Sequence, residues 1–377
     1  MKKGEEAERG GRNGLLCFIV KWFSVTTQNT IRRYEMPIIF YKVQAGQETT
    51  RGTAVAATAK WMAYRLRPKV GDRAIVQPVE DRGSKFGRFR GFTVSQQAGM
   101  GSLESAESGT TFEDILYPLL MALKGGVTPS VPAVTNDPDA RLWTFAPTSG
   151  SADNPDTFTV EWGDDVQQWE SEYCLGTALT INGAINEAWA LSMPLVGRQH
   201  TPINNFTASL QDRAVESILT NKTILYMDDA GAGAVMGTTP VSNAFVGFTW
   251  NLGEHFAPKF TGEGNLYFSH HSEKKLFPTL SLDVIMTSAV ATLITTKYQA
   301  ETVQLVRLKG TGSTIGSNGV SLTRHAQIDG AYRIIDVSSL EEEDGLTRVT
   351  MELAAEYESN YAKLIEIAVQ NAVATLP

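Results

Sequence analysis

The segment Arg348 to Tyr357, RVTMELAAEY, alternates apolar and polar residues with a period of two. Val349, Met351, Leu353, Ala355 and Tyr357 fall on one side; Arg348, Thr350, Glu352 and Glu356 fall on the other. Successive strand side chains point to opposite faces, so this pattern predicts a half-buried antiparallel strand. TLSLDVIM (Thr279 to Met286) repeats it with Leu280, Leu282, Val284 and Met286. Phe158, Val160 and Trp162 alternate with Thr157, Thr159 and Glu161, which predicts a third strand with one apolar and one polar face. From Phe89 onward this period dominates, and the expected fold class is mainly β.

Two helical segments interrupt the strands. TTFEDILYPLLMALKG has Thr110 and Glu113 at capping-box spacing and Gly125 as a stop, while Pro118 is expected to bend or shorten the helix. SAVATLITTKYQAE (Ser288 to Glu301) carries Val290, Leu293 and Ile294 at helical spacing. Asp212 to Leu219 is a third, shorter candidate. Element order repeats, with a strand running into a helix in each half and a strand–turn–strand unit following. TINGA (Thr180 to Ala184) and QIDGA (Gln327 to Ala331) begin 147 residues apart, at 180 and 327. Asn-Gly and Asp-Gly read as hairpin turns. A length of 377 residues suits two domains. Together these predict a duplicated β domain, 36–200 and 201–377, with the boundary near Gly197 to Asn205.

Residues 1–35 differ from the rest. They hold seven Lys or Arg against four Glu. Removing that +3 from the formal charge of −8 leaves −11 for Met36 to Pro377. Leu15 to Val20 is too short to span a bilayer, and no signal-peptide cleavage site follows it. This extension is expected to be an over-extended gene start or a disordered leader, the alternative being a membrane or partner anchor. Cys17 and Cys174 are the only cysteines, too few for a disulfide framework and suited to a reducing compartment. The negative charge argues against wholesale binding to a nucleic-acid backbone.

Motifs for chemistry are sparse. His200, His255, His270, His271 and His325 lack zinc-type spacing, and neighbours such as His270 and His271 on a strand point to opposite faces. Gly231 to Gly237 (GAGAVMG) lacks the Gly-Lys-Ser/Thr of a phosphate loop, and Gly310 to Gly319 reads as a polar mobile loop. The sequons at Asn205 and Asn221 read as chance. No cofactor is expected. The acidic stretch from Glu161 to Glu172 has Trp162, Trp169 and Tyr173 beside it, which admits a carboxylate pair with sugar platforms or, more simply, a solvated loop. A second acidic run, Glu341 to Asp344, has no aromatics, and a non-enzymatic wall accounts better for both.

Several segments together resemble the tail tube proteins (major tail proteins) of long-tailed bacteriophages. QETTRGTAVAATAKW (Gln47 to Trp61), SGTTFEDILYPLLMAL, DTFTVEWGD, CLGTALTINGAINEAWALSMPLVGR, KTILYMDD, VGFTWNLGEHFAPKF, QLVRLK and AEYESNYAKLIEIAVQN follow in that family's order. The likeness covers most of Met36 to Pro377. It implies a β-sandwich or half-barrel with flanking helices, and no enzymatic activity. The chain would be a virion protein of the tail, made in the host cytoplasm and assembled into stacked rings through which DNA passes unbound. For a chain with two tandem domains it implies a trimeric, pseudo-hexameric ring, with a hexamer as the alternative. The implied partners are other copies, a tape measure protein, and tail terminator and tail tip proteins, with no membrane. Glu161, Asp164, Asp165, Glu352 and Glu356 become candidate lumen-lining acids. Loops Val79 to Thr110 and Gly310 to Gly319 are expected to order against the next ring. The competing readings are a lectin- or adhesion-like tail module and a carbohydrate-active enzyme using Glu161 or Glu170.

Overall fold

The computed structural model describes residues 41–76, 85, 92–132, 139–262, 264–315, 322–343 and 345–376. Cys17 and the expectations for residues 1–35 lie outside these. Residues Ile39–Pro377 form one compact unit. The chain is mainly β, as its period-two pattern requires.

In the first half, β1 is Lys42–Gln47, β2 Ala59–Lys60, β3 Tyr64–Val76, β4 Thr93–Ser105 and α1 Leu116–Ala122; β5 is Arg141–Phe145, β6 Phe158–Gly163, β7 Gln168–Gly176, β8 Ala178–Ala184, β9 Ala190–Gly197 and β10 Gln199–Ile203. In the second half, β11 is Thr223–Asp229, β12 Phe245–Glu254, β13 Phe256–Lys259, β14 His270–Glu273, β15 Thr279–Ile285 and α2 Ser288–Leu293. There follow β16 Val303–Ile315, β17 Leu322–Val337, β18 Glu341–Glu343, β19 Leu346–Ala355 and β20 Ile365–Asn371.

Pairing shows one topology twice. The first half runs β1-β6-β7-β9-β4-β3, every neighbour antiparallel. The second runs β11-β16-β17-β19-β15-β12, also antiparallel. Each helix occupies the same place in its half, after β4 or after β15. The short hairpin β8–β9 matches β18–β19. Strands of the two halves then join directly, β8 to β12 and β5 to β20.

One uninterrupted antiparallel sheet of eight strands therefore crosses both halves, β3-β4-β9-β8-β12-β15-β19-β18. Its inner face is the core: Leu66, Leu103, Met193, Ile181, Trp250, Leu280 and Leu353 are all at most 5% exposed. Helix α1 is buried on every side, which is why its sequence lacks a polar stripe.

Several expectations need correction. Thr110 does not cap α1. The helix begins at Leu116 and its N-cap residue Ile115 makes no side-chain cap bond; in the turn before it the Thr111 hydroxyl accepts from the Asp114 amide, and Glu113 is drawn to Arg324. The helix is short, Leu116–Ala122, as Pro118 led one to expect, and Pro118 lies in its first turn, where its missing N–H has no helical partner to lose. Gly125 stops the helix by proximity: a Cβ there would sit 2.2 Å from the Asn154 carbonyl oxygen. Residues 212–219 are extended, not helical. Their polar groups are taken by the α1 approach, with Ile218 N–H donating to Thr110 O and Arg213 pairing with Asp114. Much of the expected loop Val79 to Thr110 is strand β4, and Gly310 to Ile315 is the end of β16; residues 316–319 lie outside those described.

The Asn-Gly and Asp-Gly pairs are not turns. Asn182-Gly183 lies within β8 and Asp329-Gly330 within β17. The two pentapeptides are also out of register with the repeat, since the strand equivalent to β8 is β18, not β17. Space, not backbone freedom, selects glycine at 183: a Cβ would meet the Thr220 hydroxyl at 2.6 Å and the Phe248 ring at 2.8 Å. Gly183→Ala should therefore destabilise the fold by about 1–3 kcal/mol through overpacking, measured by urea denaturation, whereas a turn glycine with open space beside it would tolerate the methyl group.

Candidate functional site

Strand β6 is buried along its whole length, so its sequence alternation does not mark a solvent face. Glu161 is 3% exposed. Its carboxylate accepts from Gln44 Nε2 at 2.7 Å, from the Thr207 amide at 2.8 Å and from the Ala57 amide at 3.4 Å, and the Thr207 hydroxyl donates as well. It pins the chain after β10 and the segment before β2 onto β6. Thr207, the last residue of the first sequon, thus has a structural role.

The remaining acids of this stretch divide by environment. Asp164 caps the β6–β7 turn, accepting from the amides of Gln167 and Val166, and these bonds hold its carboxyl below the usual range. Asp165 is exposed beside it. Glu170 stands directly across from Glu161, and its carboxyl is raised by burial and then by the charges of Glu161 and Glu172. Glu172 pairs with Arg198. The aromatics offer no platform: Trp162 and Tyr173 are each 4% exposed, and Trp169 stacks on Trp162 with centroids 5.8 Å apart. Only Trp169 of the three keeps part of its ring at the surface.

Glu48 went unnoticed in the sequence. Although buried, it accepts from the Tyr173 amide at 2.8 Å and from the hydroxyls of Thr157 and Thr159 at 2.8 and 3.0 Å. Tyr173 has φ +51°, and the pairing register of β6 and β7 shifts between Phe158 and Val160. The carboxylate therefore holds a kink in β7 that no local spacing announces.

A second cluster joins residues far apart in the chain. His255 Nε2 lies 3.4 Å from Glu273 and 3.9 Å from Asp153, while its Nδ1 meets the Ala122 carbonyl at 2.9 Å. Burial raises the Asp153 carboxyl above its usual range. Asp153 also accepts from the Thr148 amide and lies 3.6 Å from Lys124. Glu273 accepts from the Asp153 amide. These bonds tie the end of α1 to the β13–β14 ribbon, and the ligand atoms of Asp153, His255 and Glu273, all within 4.8 Å of one another, are also close enough to hold a metal ion.

The solvent face of the eight-stranded sheet is a continuous polar surface built from regular elements. Along one cross-strand row stand Arg65, Glu104, Ser192, Thr180, Asn251, Thr279 and Ala354. The next row continues Asn182, Thr249, Ser281 and Glu352. Short hydroxyl and amide side chains dominate, and the charges are matched: Arg67 with Glu104 at 3.0 Å, Arg348 with Asp283 at 3.3 Å, Arg65 with Glu107 at 3.6 Å.

Of the five acids expected on a lumen, only Glu352 lies on this face, where the Ser281 hydroxyl donates to it at 2.6 Å. Glu161 is inside the protein, and Asp164 and Asp165 sit at the β6–β7 turn, outside this sheet. Glu356 follows β19 and pairs with Arg333 at 2.8 Å. Asp283 and Glu104 belong to the face and were overlooked, because Asp283 lies in a strand read only for its apolar side and Glu104 in a segment read as loop.

No protein-family model matches the chain, and no curated protein matches it.

His325, in β17, has its imidazole pushed down to about 4 by burial, with Lys309 adding repulsion. The unfolded chain, with the ordinary value of 6.5, binds the proton first. The stability this histidine contributes is complete above pH 6.5 and is lost as pH falls toward 4, up to about 3 kcal/mol. Denaturation midpoints across that window should fall with pH in the parent chain and fall less in His325→Gln. Separately, Glu161→Ala should cost about 3 kcal/mol by stranding buried donors, a loss readable in the thermal midpoint.

Proposed function

We propose that this protein is a structural subunit of a phage tail tube, as its resemblance to that family suggests, and not an enzyme. The observation that carries this reading is the single eight-stranded antiparallel sheet running through both halves, with a packed core on one side and a polar face on the other. In a solitary chain such a sheet leaves two edges of unpaired N–H and C=O groups, a long one at β3 and a three-residue one at β18, an aggregation hazard. Closing it around a ring removes both edges. Three copies supply about 24 strands, and barrels of roughly 16–18 already enclose an aqueous channel. Rings then stack by a repeating head-to-tail contact, which gives a filament.

The polar face suits a channel wall that must release DNA. Each unpaired Lys or Arg on a wall would hold phosphate by displacing counterions. Here Arg65, Arg67 and Arg348 already face carboxylates. Beyond roughly 8 Å the remaining field is screened at physiological salt. Non-adhesion therefore comes mainly from Ser, Thr and Asn with locally neutralised charge, not from the dense acidic lining that the sequence suggested. A tape measure protein inside the tube and terminator and tip proteins at its ends are the partners this role requires.

Negative-stain electron microscopy of the purified full-length chain over a range of concentrations tests the reading. Rings or hollow tubes with threefold class averages are expected, and sixfold averages of six chains would change the stoichiometry. Uniform particles of one chain at every concentration, even when seeded with tail tips, would overturn it.

A further inference from the structure

The internal repeat contains one joint that it does not complete. Between the halves, β8 lies against β12 with Asn182 opposite Thr249, Gly183 opposite Phe248 and Ala184 opposite Gly247. The strand equivalent to β8 in the second half is β18, and the strand equivalent to β12 in the first half is β3. Among the described residues, β18 has only β19 as a strand partner and β3 only β4. The sheet thus ends on the two strands whose counterparts meet inside the chain.

Resting on the ring reading above, we infer that β18 of one chain pairs antiparallel with β3 of the next copy, reproducing the β8–β12 joint. The buried rows fix the register. Leu191 and Met193 of β9 match Val349 and Met351 of β19 as core residues. Arg348 pairs with Glu341 as Ala190 pairs with Asn182, so Glu341 takes the place of Asn182. In the other partner, Leu66 opposite Leu103 matches Phe248 opposite Leu282, so Arg67 takes the place of Thr249. Glu341 then stands opposite Arg67 of the neighbour, and Glu342 takes the place of Gly183, opposite Leu66, a residue smaller than the Phe248 it replaces.

Two independent features agree with that register. The first is charge: β18 is Glu-Glu-Glu, and the matching stretch of β3 is Arg65-Leu66-Arg67. Opposite charges directly across a strand pair are stabilising, and like charges there would repel. The Arg67 side chain is 74% exposed despite its pairing with Glu104, so its outer face is open to a second carboxylate from the neighbour. The second is an exposed apolar residue: Leu340, just before β18, is 64% exposed, while Ile181 at the equivalent position is fully buried against β12. Leu340 would lie opposite Pro68. Because Pro68 falls beyond the three-residue ladder, its missing N–H removes no bond from it.

Cross-linking tests the contact. Full-length Arg67→Cys and Glu341→Cys chains, each also carrying Cys17→Ser and keeping the buried Cys174, are mixed at ring-forming concentration and treated with a short bis-maleimide. Both positions are exposed, so neither change threatens the fold. A covalent dimer is expected from the mixture and not from either variant alone. The double variant should give a ladder ending at three chains. Rings seen by microscopy without that dimer would overturn the β18–β3 contact while leaving the ring reading intact. Neither rings nor dimer would overturn both. A ladder running past three would keep the contact and overturn closure at three.

Discussion

The hydrogen-bonded seam between β8 and β12 is the interaction on which the architecture depends. Without it, each half would be a small β unit with its own open edges. With it, the inner faces of both halves merge into one core, in which Ile181 of the first half packs opposite Trp250 of the second. The seam has little tolerance for bulk. Gly183 has no room for a Cβ, and across from it Phe248 packs edge-on against Trp189 with centroids 5.1 Å apart. A side chain at 183 would push the halves apart where the backbone bonds hold them together, a conflict between packing and hydrogen bonding within one strand.

Class and core were legible in the sequence, because burial on one face of a strand leaves a period-two trace. Val349, Met351 and Leu353 on β19, and Leu280, Leu282 and Val284 on β15, were all read correctly as inward. The same rule failed on β6, where both faces are covered and the polar residues are buried with their partners. Alternation reports chemistry, and it equals exposure only when one face meets water. Glu161 illustrates the difference: four donors drawn from three distant segments neutralise it, and none is predictable from its neighbours.

Short signals misled where long-range packing set the geometry. Asn-Gly looked like a turn because glycine frees the backbone, yet here glycine answers to steric proximity. The helix capping pattern caps nothing: α1 begins only at Leu116, and the Glu113 and Asp114 carboxylates are engaged with Arg324 and Arg213 from the second half. Element order suggested a repeat, and the pentapeptide likeness taken to support it falls at strands that pair differently. Pairing topology persists where residue identity has diverged, because hydrogen bonds between backbones do not depend on side chains.

The strand count has a consequence of its own. Each half contributes four strands to the continuous sheet, β3-β4-β9-β8 and then β12-β15-β19-β18. An even number means that the first and last strands of every chain point in opposite directions. Copies can thus be added by rotation alone, always presenting an antiparallel mate, whatever number closes the circle. Had either half carried one strand more or fewer, every junction between copies would be parallel or would require alternate chains to be inverted. An inverted neighbour would turn its top toward its partner's bottom, and a polar filament could not grow. For the ring proposed above, parity means that hairpins could be gained or lost without losing a common direction of the copies, but single strands could not.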